Sequence, residues 1–147
     1  MSEQNILISV RQKYLASMLV GEKKVELRRR ALRIPAGTRI WIYSKAPRAA
    51  VAAVATVEMI VSMPPRKLWD EYGSLTGVTK KEFDAYFFEA STAWAIFLKD
   101  VIALSAAVTL ATLRKGSLFH PPQFFKRLED GSSTLRLLET NFLRNPT

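Results

Sequence analysis

The sequence predicts an α+β domain, a small and mostly antiparallel β-barrel surrounded by helices. Alternating and β-branched runs predict several strands, whereas helical spacing of apolar residues is confined to short segments. The strands and helices do not alternate regularly, which argues against a doubly wound parallel sheet. With 147 residues, 48% of them hydrophobic, the chain is long enough for one domain with a substantial core, expected over residues 1–147.

The first third of the chain predicts three strands around one helix. Residues 11–20 have helical spacing, with Leu15, Met18 and Leu19 on one face. Gly21 follows and can adopt the left-handed conformation that ends such a helix. Apolar or alternating runs predict the strands, which we place at 5–10, 23–29 and 38–44.

The remainder predicts further strands with helices inserted among them. A proline pair at 64–65 can begin a helix, and Thr79 with Glu82 forms a capping-box pattern. The predicted strands are 49–61, 92–98 and 101–110. The predicted helical segments are 64–72, 79–87, a turn at 123–128 and a C-terminal helix at 134–144. We place the core of the domain at about residues 5–128.

Composition excludes several classes of function. The chain has no cysteine, so it forms neither disulfides nor thiolate metal sites, and a single histidine, His120, cannot form a histidine-rich metal site. No cofactor or metal is expected. The apolar run at 49–57 is too short to cross a bilayer, and the first residues do not resemble a signal peptide. A cytoplasmic protein without a membrane partner is expected.

The net charge of +9 is concentrated near the N-terminus. Residues 1–50 hold 11 Lys/Arg against 3 Asp/Glu, whereas residues 51–100 hold 5 against 7. Clustered cations that neutralise phosphates release counterions, which favours nucleic-acid binding. A basic surface without a partner is the alternative.

The ten residues from Gly21 to Arg30 combine a glycine stop with a strand-like run that is unusually rich in charge. Their pattern Gly21-x-Lys23-x-x-Glu26-x-Arg28 resembles the GxKxxExR signature of ASCH domains, a branch of the PUA-like superfold. Later segments resemble the same family in the same order: 42–47, 82–87, 93–96 and the Pro-Pro-Gln-x-Phe run at 121–125.

The resemblance implies a PUA-like β-barrel with a cleft beside the signature strand, and RNA or another nucleic acid or nucleotide as the partner. It places ligand-binding groups at Lys23, Glu26 and Arg28. Arg29, Arg30 and Arg33 would form a basic rim, and Ser44 and Lys45 would offer polar groups at a strand end. Each has a simpler alternative, namely a solvated lysine, a surface ion pair or an ordinary turn.

The family also contains enzymes, which leaves a second function open. In its small amidohydrolases, which deacylate N4-acetylcytidine, a catalytic lysine aligns with Lys23 but the threonine nucleophile aligns with Glu26. A carboxylate is a poor substitute for the threonine alkoxide nucleophile, which a neighbouring lysine activates. The favoured prediction is therefore a non-catalytic or regulatory RNA-binding module. The alternative is a hydrolase acting on modified nucleosides or RNA, with Lys23 and Glu26 as its catalytic residues.

A third hypothesis is a protein-interaction or regulatory domain. The predicted C-terminal helix at 134–144 carries Leu135, Leu138 and Phe142 with helical spacing, so it presents an apolar stripe. Such a stripe predicts a possible homodimer through this helix.

Overall fold

A computed structural model describes residues 4–143, which form one curled six-stranded sheet with helices against it. The strands are β1 (Asn5–Val10), β2 (Val25–Arg28), β3 (Arg39–Ser44), β4 (Ala50–Met63), β5 (Ala93–Thr109) and β6 (Lys126–Arg127). The helices are α1 (Gln12–Leu19), α2 (Pro65–Tyr72), α3 (Lys80–Tyr86), α4 (Leu110–Leu113) and α5 (Ser133–Leu143), with a 3₁₀ turn at Gly73–Leu75.

The strand order is β2-β5-β4-β3-β1-β6, and only the β1–β3 pair is parallel among the described strands. The predicted α+β class and mostly antiparallel sheet are confirmed. The predicted closed barrel is wrong, because β2 and β6 lie at opposite edges of a half-barrel. These edge strands are four and two residues long, and no pairing joins them among the described residues.

Both faces of the central strands are covered, which explains their continuous apolar runs. Ile6 and Ile8 of β1 pack in a core with Leu15 of α1. Leu7, between them, packs in a second core with Leu138 of α5. Because successive side chains of a strand point to opposite faces, α1 and α5 lie on opposite sides of the sheet.

Helices α2 and α3 lie between β4 and β5 in the chain and pack over the edge strand β2. Val25 and Leu27 of β2 share a third core with Phe83 of α3. The predicted capping box is confirmed, since the Thr79 hydroxyl accepts from the Glu82 amide and Glu82 accepts from the Thr79 amide. This packing fixes α3 directly beside β2.

Two predicted element boundaries are wrong. The two strands predicted at 92–98 and 101–110 are one long strand, β5 (Ala93–Thr109), in which Asp100 takes a positive φ of 52° where the sequence suggested a break. The predicted helical turn at 123–128 instead contains β6, whose residues pair with Ile6 and Leu7 of β1. Edge pairing to β1 overrides the weak helical signal of this proline-flanked segment.

The C-terminal helix runs from Ser133 to Leu143, close to the prediction, and Arg144 lies outside the described residues. Leu135 and Leu138 are buried against the sheet with Trp41. The apolar stripe is therefore used within the chain, and the homodimer stays a prediction that would need another face. Within residues 4–143 no helix is both long and apolar enough to cross a membrane.

Candidate functional site

A cavity of about 460 Å³ lies between the β1–α1 junction, strand β2 and helix α3. Four of its lining side chains are cationic and two are carboxylates. The charged and hydrogen-bonding side chains at its wall are Ser9, Arg11, Tyr14, Lys23, Glu26, Arg28, Lys45, Glu82, Tyr86 and Gln123. The site therefore brings together residues that are far apart in the chain.

The turn after α1 aims the signature residues at this cavity. Gly21 adopts a φ of +83°, a conformation that favours glycine, and reverses the chain. The amide of Lys24 then donates to the Leu75 carbonyl at 2.8 Å, which ties the segment to the loop before α3. In β2, Val25 and Leu27 enter the core, so the alternation directs Glu26 and Arg28 to the cavity side.

Glu26 is the centre of a buried charge cluster. Its Oε2 accepts a hydrogen bond from Arg28 Nη2 at 2.7 Å, and its Oε1 lies 3.6 Å from Lys23 Nζ. All three residues are at most 7% exposed. Two cations therefore share one carboxylate in a place with little water, where such pairs need good geometry to be stable.

Lys23 is held almost completely inside the protein. Its ammonium donates to the Thr76 carbonyl at 2.6 Å and lies 5.1 Å from the centre of the Tyr14 ring. Burial lowers the pKa of Lys23, and the charge of Glu26 opposes that shift. Lys23 thus lies at the wall of the cavity beside Glu26, and direct contact between its ammonium and a ligand stays a prediction.

Arg28 connects three parts of the wall. Besides Glu26, its guanidinium donates to the carbonyls of Phe124 at 3.1 Å and Ser9 at 3.4 Å. Its Nε and the hydroxyl of Ser9 are buried and have no hydrogen-bond partner among the described residues. Unsatisfied buried polar atoms are rare in proteins, and both of these belong to residues that line the cavity.

The rim of the cavity carries free positive charge on one side. Arg11 and Lys45 are exposed, and within the described part of the chain neither has a carboxylate within ion-pair distance. Glu82, also at the wall, accepts from Lys13 Nζ at 2.8 Å and from the Tyr14 hydroxyl at 3.0 Å. These bonds, with the Thr79 cap, lower the pKa of Glu82 to about 2 and link α3 to α1.

The predicted site residues divide into three groups. Lys23, Glu26, Arg28 and Lys45 line the cavity. Arg29 and Arg30 line a neighbouring groove. The third group lines neither.

The third group consists of Arg33 and Ser44. Arg33 places its guanidinium 5.4 Å from the centre of the Trp94 ring, away from both walls. Ser44 is fully buried in β3, and its hydroxyl has no hydrogen-bond partner among the described residues, so its role toward a ligand stays a prediction.

Sequence reasoning missed several wall residues. Tyr14 lay in a predicted helix without a feature that marked it. Glu82 was interpreted as a cap and as one of several glutamates that could match a second catalytic glutamate of the amidohydrolases. Tyr86, in the predicted helix at 79–87, is 42% exposed and lines both the cavity and the groove. Gln123 belongs to the Pro-Pro-Gln-x-Phe run at 121–125, and this resemblance to the family was the one signal in the sequence that marked it. Within residues 4–143 no group of three or more acidic or histidine side chains is placed to hold a metal ion.

Comparison with known proteins identifies the family. The family model described as a domain of unknown function, DUF365, matches residues 4–116. A curated relative from Zymomonas mobilis, named ASCH domain-containing ribonuclease, is 32% identical over 119 residues, covering 80% of this chain and 79% of the relative. The chain belongs to the ASCH domain family. The resemblance in the signature residues is thereby confirmed.

Solved structures agree with this ASCH fold. The crystal structure of ASCH from Zymomonas mobilis superposes with a TM-score of 0.84 at 28% identity, covering 92% of this chain and 94% of that one. Human THYN1 in complex with DNA containing 5-methylcytosine matches with a TM-score of 0.56 at 8% identity, covering 98% and 100%. The second likeness concerns the fold alone.

Proposed function

We propose that this ASCH domain binds single-stranded RNA and takes one unpaired base into the 460 Å³ cavity. The observation that supports this most is the Glu26 carboxylate, held by Lys23 and Arg28 at the wall of a cavity whose rim is cationic. The base would meet a fixed acceptor, and the backbone would meet free cations.

The size of the cavity supports a small ligand rather than a duplex. Its volume falls within the range of pockets that enclose small molecules. A paired base cannot enter such a space without leaving its stack, whereas bases of single-stranded RNA are already accessible. The rings of Tyr14 and Tyr86 supply flat apolar surface at the wall.

The polar groups of the wall suit the edge of a base. Each carboxylate oxygen has two lone pairs, so Glu26 can accept from an exocyclic amino group while it keeps Arg28. Gln123 is exposed and offers both a donor and an acceptor. Such contacts favour bases that carry an amino group, because a carboxylate accepts but does not donate.

The comparisons support a nucleic-acid ligand. The Zymomonas mobilis relative is named a ribonuclease, and the THYN1 structure contains DNA in a protein of the same general fold. The choice of RNA follows the relative with the higher identity. Arg11 and Lys45, which lack carboxylate partners in the described chain, are the groups that would neutralise its phosphates.

The double substitution Arg11→Ala, Lys45→Ala is expected to lower the affinity for single-stranded RNA by about tenfold at low salt. Removing two phosphate contacts should also reduce the steepness of the plot of the logarithm of the association constant against the logarithm of the salt concentration by about 1.4, which is about 0.7 for each contact. Fluorescence anisotropy over a salt series measures both quantities. The control is Lys99→Ala, an exposed lysine that lines neither the cavity nor the groove. Undetectable RNA binding by the unmodified protein at low salt would refute the proposal, and tighter binding of single-stranded DNA would refute the choice of RNA.

Cleavage of the bound strand is a second candidate, favoured by the name of the Zymomonas mobilis relative. In the simplest reaction the ribose 2′ oxygen attacks the adjacent phosphorus and loses its proton. The 5′ oxygen leaves with a proton, and a 2′,3′-cyclic phosphate remains. The positive charge of Arg28 and Lys45 beside the cavity would stabilise the charged transition state.

Cleavage is tested with an end-labelled oligoribonucleotide whose products are identified by mass. We expect cyclic-phosphate ends. If Glu26 takes the proton of the 2′ oxygen, Glu26→Gln should lower the rate of cleavage of fully bound RNA about a hundredfold, the scale of a positioned acid–base group. RNA that stays intact after prolonged incubation would refute cleavage and leave RNA binding as the proposed function. Turnover of N4-acetylcytidine is not expected, because position 26 holds a carboxylate in a 2.7 Å bond to Arg28.

A further inference from the structure

A second groove of about 310 Å³ adjoins the cavity on the side of the arginine run. It is lined by Arg28, Arg29, Arg30, Tyr86, Gln123 and Phe124. Three of these six residues are arginines and none is a carboxylate. The groove is therefore more selective for anions than the cavity, whose wall contains both Glu26 and Glu82.

The groove and the cavity share part of their walls. Arg28, Tyr86 and Gln123 line both of them, so these three side chains form the boundary between the two spaces. The two spaces are therefore direct neighbours, close enough for adjacent parts of one ligand. The Nε of Arg28, which is buried without a hydrogen-bond partner among the described residues, belongs to this boundary residue.

The arginines of the groove are arranged around aromatic rings. The guanidinium of Arg30 lies 5.2 Å from the centre of the Phe124 ring, and Phe124 packs edge-on against Phe125. Arg29 donates to the Tyr86 carbonyl at 3.0 Å, which holds its side chain against α3. Flat cationic and aromatic groups held in this way are surfaces on which a base can stack.

We infer that the groove is a binding subsite for the nucleotide next to the one in the cavity. The phosphodiester would lie at the boundary formed by Arg28, Tyr86 and Gln123, and the neighbouring base would stack on Arg30 and Phe124. This inference rests on the proposed RNA binding. The inference makes a dinucleotide the smallest ligand that fills both spaces. It also gives Arg29 and Arg30, which the sequence placed only in a general basic rim, a specific role.

The volume and lining of the groove favour a nucleotide over a lone phosphate. A phosphate needs cations but gains nothing from a ring such as Phe124, which is only half-buried. An acidic peptide would also suit three arginines, but it would not use a stacking surface. An experiment must therefore measure the contribution of stacking on the Phe124 ring separately from that of the arginine charges.

The experiment compares binding of 5′-phosphorylated oligouridylates and oligoadenylates of one, two and three nucleotides by isothermal titration. We expect the second nucleotide to tighten binding by about tenfold or more, the scale of one stacked base with its phosphate. The third should add less than the second. Arg30→Ala and Phe124→Leu should each abolish most of the gain from the second nucleotide and leave mononucleotide affinity within about twofold.

Two matched variants separate charge and stacking. Arg30→Lys keeps the charge but loses the planar fork, so it should lose part of the gain. Arg33→Ala removes an exposed arginine from the same segment that lines neither space, so it should keep the whole gain. Circular dichroism spectra that match the unmodified protein establish that each variant is folded.

The outcomes distinguish this inference from the proposed function. If mononucleotides bind but the second nucleotide adds less than twofold, the subsite is refuted and RNA binding stands. The same holds if the gain survives in both Arg30→Ala and Phe124→Leu, or if a hexaglutamate peptide binds as tightly as the dinucleotide. If none of the oligonucleotides binds, the proposed function itself is refuted.

Discussion

Replacing Glu26 by alanine is expected to lower the free energy of unfolding by about 3–5 kcal/mol. The substitution removes the only carboxylate that lies within 4 Å of Lys23 or Arg28 in the described structure. Both cations would remain largely buried, with Lys23 only 2% exposed, and would lose the carboxylate that compensates their charge. Urea denaturation followed by circular dichroism measures the change.

Two further variants give this prediction its controls. Glu58→Ala removes an exposed carboxylate of β4 and should change stability by less than about 0.5 kcal/mol. The double variant Glu26→Ala, Lys23→Met removes the carboxylate together with one of its cations, so it should be more stable than Glu26→Ala alone. A double variant that is less stable than either single variant would show that the cluster is not held by charge pairing.

The fold was predictable where the sequence repeats a clear period. The switch from strand to helix at residue 11, the stop at Gly21 and the Thr79 capping box are local signals, and the structure confirms each one. Closure of the sheet was not predictable, because it depends on whether β2 and β6, the two edge strands, come close enough to pair. The β6 pairing to β1 joins residues about 120 positions apart, which no local pattern records.

The site was predictable along one strand and not across the chain. Alternation in β2 placed Glu26 and Arg28 on one face, and the structure brings both to the cavity. The position of Lys23 in the site was not predictable, because it depends on burial by a distant part of the chain. Lys23 was expected to face a ligand, but the loop at residues 76–77 covers it, and that contact between distant segments leaves no mark on the sequence near position 23.

The loop that covers Lys23 gives the second large expected effect. Gly77→Ala should lower the free energy of unfolding by about 2–5 kcal/mol, the sum of a backbone and a packing cost. Gly77 has a φ of +67°, a conformation that strains other residues by about 1–2 kcal/mol. A Cβ at this position would also lie 2.7 Å from the Lys23 Cβ, a rigid part of a buried side chain. Overpacking of this kind costs about 1–3 kcal/mol more.

Gly21→Ala is the matched control, because Gly21 has a φ of +83° but a Cβ added there would have no atom within 4 Å beyond its chain neighbours. It should show the backbone strain of about 1–2 kcal/mol alone. The difference between the two variants isolates the contact with Lys23. RNA affinity should separate them as well, since a displaced Lys23 shifts Glu26 in Gly77→Ala, whereas Gly21→Ala leaves the charge cluster in place. Equal losses of stability and of RNA affinity in both variants would contradict this prediction. They would mean that the 76–77 loop does not position the Glu26 carboxylate, and that Gly21 and Gly77 are needed only for their backbone conformations.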